Sequence, residues 1–278
     1  MILLGLLSDH RVRRSLSPAM HTRILAQEGI KGVYLPFEVA PEKVGQAVEG
    51  LRALGMRGAN VTVPYKEAVV PFLDRLEAEA GRVGAVNTIL HRDGQLIGYN
   101  TDLGGFLEAL AAAGLEPAGA GALVLGLGGA AKAVAAALAG AGARVTLAGR
   151  KEAAGLKLAE ELGVRFEPLA GLARGGTGAP LRAELVVNAT TVSSPAESPP
   201  LAGLVRGLEI RGCRLVMDLN YGRPENLWSG LAGRLGARFA DGETMLAAQG
   251  RLSFRIWTGV EVGLERFQRA LHEAAPPE

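Results

Sequence analysis

Apolar positions change their spacing repeatedly along the first hundred residues. Short apolar runs predict strands at Ile2–Leu7, Val33–Val39 and Ala59–Val63. Between them, apolar residues at helical spacing predict helices over Pro18–Glu28, over Pro41–Leu54 and from about Lys66, with Ser17 as the cap of the first and Pro18 at its first position. Val86–Leu90 and Leu96–Tyr99 flank Asp93-Gly94 and predict a hairpin. A helix over Asp102–Ala113 stops at Gly114. A second series then begins, with strand Ala122–Leu125, a glycine-rich turn, helix Ala130–Ala141 and strand Arg144–Ala148, which together make a βαβ unit. Further strands are expected at Val164–Phe166, Leu185–Asn188 and Leu215–Asp218, loops at Gly175–Pro180 and Ser193–Pro200, and helices over Gly242–Gly259 and Val260–Ala274. The alternation predicts an α/β protein of two doubly wound lobes, with the final helices returning to the first lobe.

Composition narrows the function classes. The 278 residues are 48% hydrophobic and 21% charged, which is globular rather than disordered, and the length suits two domains. The formal net charge is +2 and the basic residues are scattered, so nucleic-acid binding has no support. The opening MILLGLL runs directly into Ser8-Asp9-His10 and reads as a strand rather than a signal peptide. The Ala-rich stretch 120–143 carries glycines and Lys132 and reads as a buried strand and helix, not a membrane span. Cys213 is the single cysteine, read as a core thiol, and its use fits a reducing, cytoplasmic compartment. The four histidines lack ligand spacing, so no metal site is expected. Monomer and homodimer both stay open.

The glycine turn carries the first chemistry. In LVLGLGGAAKAV, Gly126, Gly128 and Gly129 follow an apolar strand and lead into a helix at Ala130. Bare backbone can approach a ligand closely, and a helix N-terminus offers unpaired N–H groups and partial positive charge to a pyrophosphate. The next strand ends at Gly149-Arg150-Lys151, without the acidic residue that holds the ribose hydroxyls of NAD. Arginine can chelate a 2′-phosphate, so NADP is the expected cofactor; the plain alternative is two solvated loop cations.

Polar constellations punctuate the first lobe. SLSPAMH places Ser15 and Ser17 ahead of a helix, where their hydroxyls can donate to a carboxylate; NVTVPYK brings Thr62 and Lys66 across a turn at Pro64. GAVNT contributes Asn87, and GYNTDLGG ends a strand with Asp102, whose plain reading is a helix cap. Reduction of a ketone needs a hydride donor and a proton source at the carbonyl oxygen. A lysine ammonium held by Asp102 can supply that proton and recover it in the reverse direction.

These segments, with NAT at 188–190 and the stretch from Gly242 through Gln249 to Gly259, follow one another as they do in the shikimate dehydrogenase family, which this chain resembles over most of its length. The resemblance implies reversible NADPH-dependent reduction of 3-dehydroshikimate to shikimate, a step toward chorismate and the aromatic amino acids. It implies that Ser15 and Ser17 hold the carboxylate, that Thr62, Asn87 and Gln249 meet ring hydroxyls, and that Lys66 and Asp102 form the catalytic pair. Tyr221 would sit near the substrate; Asn188, Ala189 and Thr190, with Gly242, would run along the cofactor. The implied domains are residues 1–103 completed by 242–278, which bind substrate, and a Rossmann-type NADP domain over 104–241. The chain departs from the family pattern at Gly149 and Lys151, where Asn and Thr usually stand, at Thr191-Val192-Ser193, and at Gly222-Arg223-Pro224 after Tyr221. A quinate/shikimate dehydrogenase with broader substrate or NAD use is the alternative, and a non-enzymatic ligand sensor is a more distant one.

Overall fold

The structure, a computed structural model, describes residues 1–172 and 181–273. The chain divides into two compact units, Met1–Gly105 with Leu246–Glu278, and Phe106–Met245.

The first unit contains β1 (Ile2–Ser8), α1 (Ser17–Gln27), β2 (Gly32–Glu38), α2 (Val44–Ala53), β3 (Gly58–Val61), β4 (Arg75–Leu76), α3 (Ala78–Val83), β5 (Thr88–Arg92), β6 (Gln95–Tyr99) and the start of α4 (Asp102–Ala112). Its six-stranded sheet has the order β2-β1-β3-β5-β6-β4. Strands β2, β1 and β3 are parallel, while β5 runs antiparallel to both β3 and β6. The alternation along β1 sends Leu4 and Leu6 into a core with Met20, Ile24, Phe254, Trp257 and Phe267, and Leu7 into another with Val48, Leu51 and Val61.

The second unit runs β7 (Gly121–Leu125), α5 (Gly129–Gly140), β8 (Arg144–Gly149), α6 (Glu152–Leu162), β9 (Arg165–Pro168), α7 (Leu169–Leu172), β10 (Leu181–Arg182), β11 (Leu185–Asn188), α8 (Pro199–Arg206), β12 (Ile210–Arg211), β13 (Leu215–Asp218), α9 (Leu227–Leu235) and β14 (Arg238–Ala240). The chain returns to the first unit through α10 (Glu243–Thr258) and ends in α11 (Leu264–His272). The six-stranded sheet β14-β13-β11-β7-β8-β9 is parallel throughout. Its strand order reverses between β7 and β11, the switch point of a Rossmann sheet, and ligands of such sheets bind at the carboxyl ends flanking that point. No helix among the described residues is long and apolar enough to cross a membrane.

Several sequence expectations are corrected. No helix starts at Lys66: residues 66–69 are turns, and Val70–Phe72 is a single 3-10 turn, because Pro71 would interrupt a longer helix. Ser17 does not cap α1; Leu16 stands at the cap position, and Ser15 Oγ accepts the Ser17 N–H at 3.2 Å. The helix expected over Pro41–Leu54 is a 3-10 turn at Pro41–Lys43 followed by α2. The loop expected over Ser193–Pro200 gives way to α8 at Pro199, with Ser198 as its cap, since prolines fit a first helical turn. Residues 260–263 interrupt the final helical segment, and residue 274 lies outside the described residues, as does the Gly175–Pro180 loop. Cys213 is half-buried at the edge of the second unit's core rather than inside it.

Candidate active site

Parallel β1 and β3 deliver their carboxyl ends to one edge of the first sheet. Antiparallel β5 starts at that edge, with Thr88 opposite Asn60, and β6 ends there, with Tyr99 opposite Thr88. Ser15 and Ser17 follow β1, Thr62 and Lys66 follow β3, Asn87 precedes β5, and Asp102 follows β6. The sheet thus gathers distant motifs at one edge. Backbone bonds fasten them: Thr62 N–H donates to Leu7 O at 3.1 Å, Ser8 Oγ donates to Val63 O at 2.6 Å, and Val86 N–H donates to Lys66 O at 2.7 Å. The Val63–Pro64 peptide is cis.

At the centre, Lys66 Nζ donates to Asp102 Oδ2 at 2.6 Å, with side chains only 12% and 6% exposed. The other carboxylate oxygen accepts from Asn87 Nδ2 at 2.8 Å. Asp102 is not consumed as a helix cap. Asn100 Oδ1 accepts the Asp102 N–H at 3.1 Å, leaving the carboxylate to its two partners. Asn87 is buried and held in one sense, because its Oδ1 accepts the Thr101 N–H at 2.8 Å. Gln249 reaches the same cluster from α10, with Oε1 at 3.4 Å from Asn87 Nδ2. Its approach depends on Gly105 in α4, where a Cβ would stand 2.7 Å from Gln249 Cβ.

The structure therefore brings Lys66, Asn87, Asp102 and Gln249 into direct contact, and puts Ser15, Ser17 and Thr62 on the same sheet edge. Sequence reading misses Asn60, Thr88, Thr101 and Ser253, which form the buried polar layer beneath. Asn60, Thr88 and Thr101 lie inside the quoted motifs, and Ser253 falls one helical turn after Gln249; that spacing is the available signal.

In the second unit, Gly126 follows β7 with φ +127° and packs where a Cβ would meet Ala189 O at 2.8 Å. Ala189 N–H donates to Leu125 O at 2.8 Å, so the glycine turn and residues 188–190 meet at the switch point. Gly128 stands at the cap position of α5 with no side-chain cap bond, and apart from its chain neighbours no atom of the described residues lies within 4 Å of a Cβ added there. Arg150 and Lys151 are exposed at the end of β8. Gly149 is bare for a local reason: a Cβ there would stand 2.5 Å from Leu127 Cδ1. Asn188 is fully buried; it donates to Asp218 Oδ1 at 2.8 Å and accepts from Thr190 Oγ1 at 2.7 Å, so it shapes the turn from inside. Tyr221 is half-buried after β13, and Gly242 packs on the Leu219 carbonyl, its N–H donating to Asn220 O at 3.0 Å. Glu197 accepts the N–H groups of Ser193 and Ser194 at 2.7 and 3.0 Å and pairs with Arg223 at 3.3 Å, tying together the two loops that depart from the family pattern.

Comparison with known proteins places these units. The family described as "Shikimate dehydrogenase substrate binding domain" matches residues 7–89, and "Shikimate 5'-dehydrogenase C-terminal domain" matches residues 242–272. A shikimate dehydrogenase (NADP(+)) of Moorella thermoacetica is 43% identical, covering 96% of this chain and 92% of the relative. One from Rubrobacter xylanophilus is 43% identical over 97% and 95%. The crystal structure of shikimate 5-dehydrogenase from Thermus thermophilus in complex with NADP(H) and shikimate superposes with a TM-score of 0.85 at 40% identity, covering 99% of this chain and 100% of that one. That of the Aquifex aeolicus enzyme gives 0.86 at 34%, over 97% of each. With such similarity over nearly its whole length, the chain belongs to the shikimate dehydrogenase family.

Proposed function

We propose that this protein catalyses the reversible NADP-dependent interconversion of 3-dehydroshikimate and shikimate, with Lys66 and Asp102 as the proton-transfer pair. It is an oxidoreductase acting on a CH–OH group, in the route to the aromatic amino acids. The observation that carries the mechanism is the nearly buried Lys66–Asp102 contact at 2.6 Å.

The residues of the second unit fit NADP. The uncapped start of α5 offers its first N–H groups to a pyrophosphate, and the open space beside Gly128 admits one. Arg150 and Lys151 suit a 2′-phosphate and would repel no anion there. NADP(H) held by the start of α5 and by Arg150 and Lys151 would supply the hydride chemistry at the carbon that bears the reacting oxygen. In reduction, Lys66 Nζ gives its proton to that oxygen as negative charge develops; in oxidation it takes the proton back. Asp102 holds the ammonium in position, and Asn87 holds Asp102. Ser15 and Ser17 donate to the substrate carboxylate, and Thr62 and Gln249 meet ring hydroxyls. On this reading Tyr221 would serve the substrate, and Ala189 and Thr190, with Gly242, would serve the cofactor. On this reading Met1–Gly105 with the C-terminal helices is the substrate domain, and the Rossmann unit is the NADP domain. A single half-buried thiol suits work in the reducing cytoplasm.

Initial rates of the purified protein with shikimate and quinate, each with NADP and NAD, test the assignment. The expected result is highest kcat/KM for shikimate with NADP. Higher kcat/KM for quinate, or for NAD, replaces it with the broader quinate/shikimate activity.

A further inference from the structure

Ser253 is completely buried on α10, one turn beyond Gln249. Its hydroxyl donates to Gln249 O at 2.9 Å. A hydroxyl has one proton and two lone pairs, so toward its remaining neighbours the oxygen is an acceptor, for two of them at a time. Those neighbours are Asn60 Nδ2 at 3.0 Å, Thr88 Oγ1 at 2.7 Å and Thr101 Oγ1 at 3.2 Å. The two threonine hydroxyls also close on Asn87 Oδ1, at 3.1 and 3.2 Å. Each threonine has a single proton, and the acceptors both can reach are Ser253 Oγ and Asn87 Oδ1, with Gln249 Oε1 at the longer distance of 3.5 Å from Thr101 alone. Ser253 therefore decides how the hydroxyls that bracket the Asn87 carboxamide are oriented. Beyond it, Asn60 Oδ1 accepts from Tyr34 Oη at 2.8 Å, which ties the layer into the aromatic core. Among the described residues, no side-chain polar atom of this layer is left without a partner once Ser253 is in place.

We propose that Ser253 is a positioning residue for the proton-transfer pair: through Thr88 and Thr101 it locks the Asn87 carboxamide, and thereby the Asp102 carboxylate, so that the seating of α10 is coupled to the geometry of proton transfer. This rests on the reading of Lys66 and Asp102 as that pair. Helix α10 then does two things at the site. Gln249 faces the substrate, and Ser253 stiffens the layer behind the carboxylate. Loss of the Ser253 oxygen leaves Asn60 Nδ2 with Asn87 O and Thr88 Oγ1 as its acceptors, and both threonine hydroxyls then turn on the same acceptor, Asn87 Oδ1.

The test uses the full-length protein with Ser253→Ala, Thr88→Val and the double variant, assayed with shikimate and NADP. The expected result for each single variant is a fall in kcat of about five- to tenfold, with KM for shikimate nearly unchanged and a larger solvent deuterium isotope effect on kcat. The double variant should lose little more than the worse single variant, because both remove one coupled unit. A folded Ser253→Ala protein with wild-type kcat and isotope effect overturns the proposal, as do losses that multiply in the double variant. If Ser253→Ala fails to fold, the isosteric Thr88→Val protein decides alone on the same readouts. Lys66→Ala is assayed alongside. Retained turnover there removes the pair and the proposal with it, whereas collapse there combined with an unaffected Ser253→Ala removes only the role of Ser253.

Discussion

Asn87 donates to Asp102 at 2.8 Å on the carboxylate oxygen opposite the one that faces Lys66. One of its two amide protons is thereby committed to the acid, and Thr101 Oγ1 stands at 2.9 Å to take the other. A group expected from its motif to serve a ring hydroxyl is bound first to its own neighbours. Asn87→Ala should lower turnover by about 10- to 100-fold, the rate equivalent of about 1–3 kcal/mol for buried partners left unpaired. The same variant should lower Tm, and steady-state kinetics with thermal denaturation checks both.

Arg150 and Lys151 are the exposed cations at the end of β8, where a carboxylate would select NAD. Arg150→Ala should raise KM for NADP about tenfold or more, consistent with loss of a charge-assisted bond, while KM for NAD stays nearly unchanged. Equal losses for both cofactors would show that Arg150 does not read the 2′-phosphate.

Gly105 sets how closely α4 and α10 approach. A methyl group there would stand 2.7 Å from Gln249 Cβ and 2.8 Å from its backbone nitrogen, so the helix itself must move. Gly105→Ala should cost about 1–3 kcal/mol by overpacking and raise KM for shikimate. KM for NADP should hold. Chemical denaturation and separate KM determinations for the two substrates check this.

His21 is fully buried, stacked on Tyr34 at 4.6 Å with rings 7° apart, and neither ring nitrogen has a hydrogen-bond partner among the described residues. Burial pushes its pKa down to about 3 from an ordinary 6.5. Below pH 6.5 the unfolded chain takes up a proton that the folded chain refuses, so stability present above that pH is lost progressively down to about pH 3. The slope approaches about 1.4 kcal/mol per pH unit. His21→Phe should therefore raise Tm more at pH 5 than at pH 8. An equal gain at both pH values would mean that the proton linkage lies elsewhere.

Much of this fold is legible without any tertiary information. The apolar periods locate strands Ile2–Ser8, Gly121–Leu125 and Leu185–Asn188 to within a residue or so, because a strand buried on both faces must be continuously apolar. The glycine turn is legible because few other residues pass through φ +127° beside a carbonyl. The helix expected from Lys66 fails for a local reason. Apolar residues keep helical spacing there, but Pro71 breaks the segment into turns and a single 3-10 turn at Val70–Phe72.

The sequence alone determined the chemical types available: two serines before a helix, a lysine after a strand, an aspartate at a helix start, and a strand end with cations where an acid would be needed for NAD. Only the tertiary structure decided which of these meet. Lys66 and Asp102 are separated by 36 residues and Asn87 and Gln249 by 162, and no local period encodes such a meeting. Antiparallel return of β5 and β6 to the carboxyl ends of β1 and β3, and close passage of α10 over Gly105, create it. Ser253 shows this most plainly, since a serine on a helix has no legible role until its oxygen is enclosed by Asn60, Thr88 and Thr101. Enclosure matters because a buried polar atom must find a partner inside the protein, and which partner it finds is a property of packing.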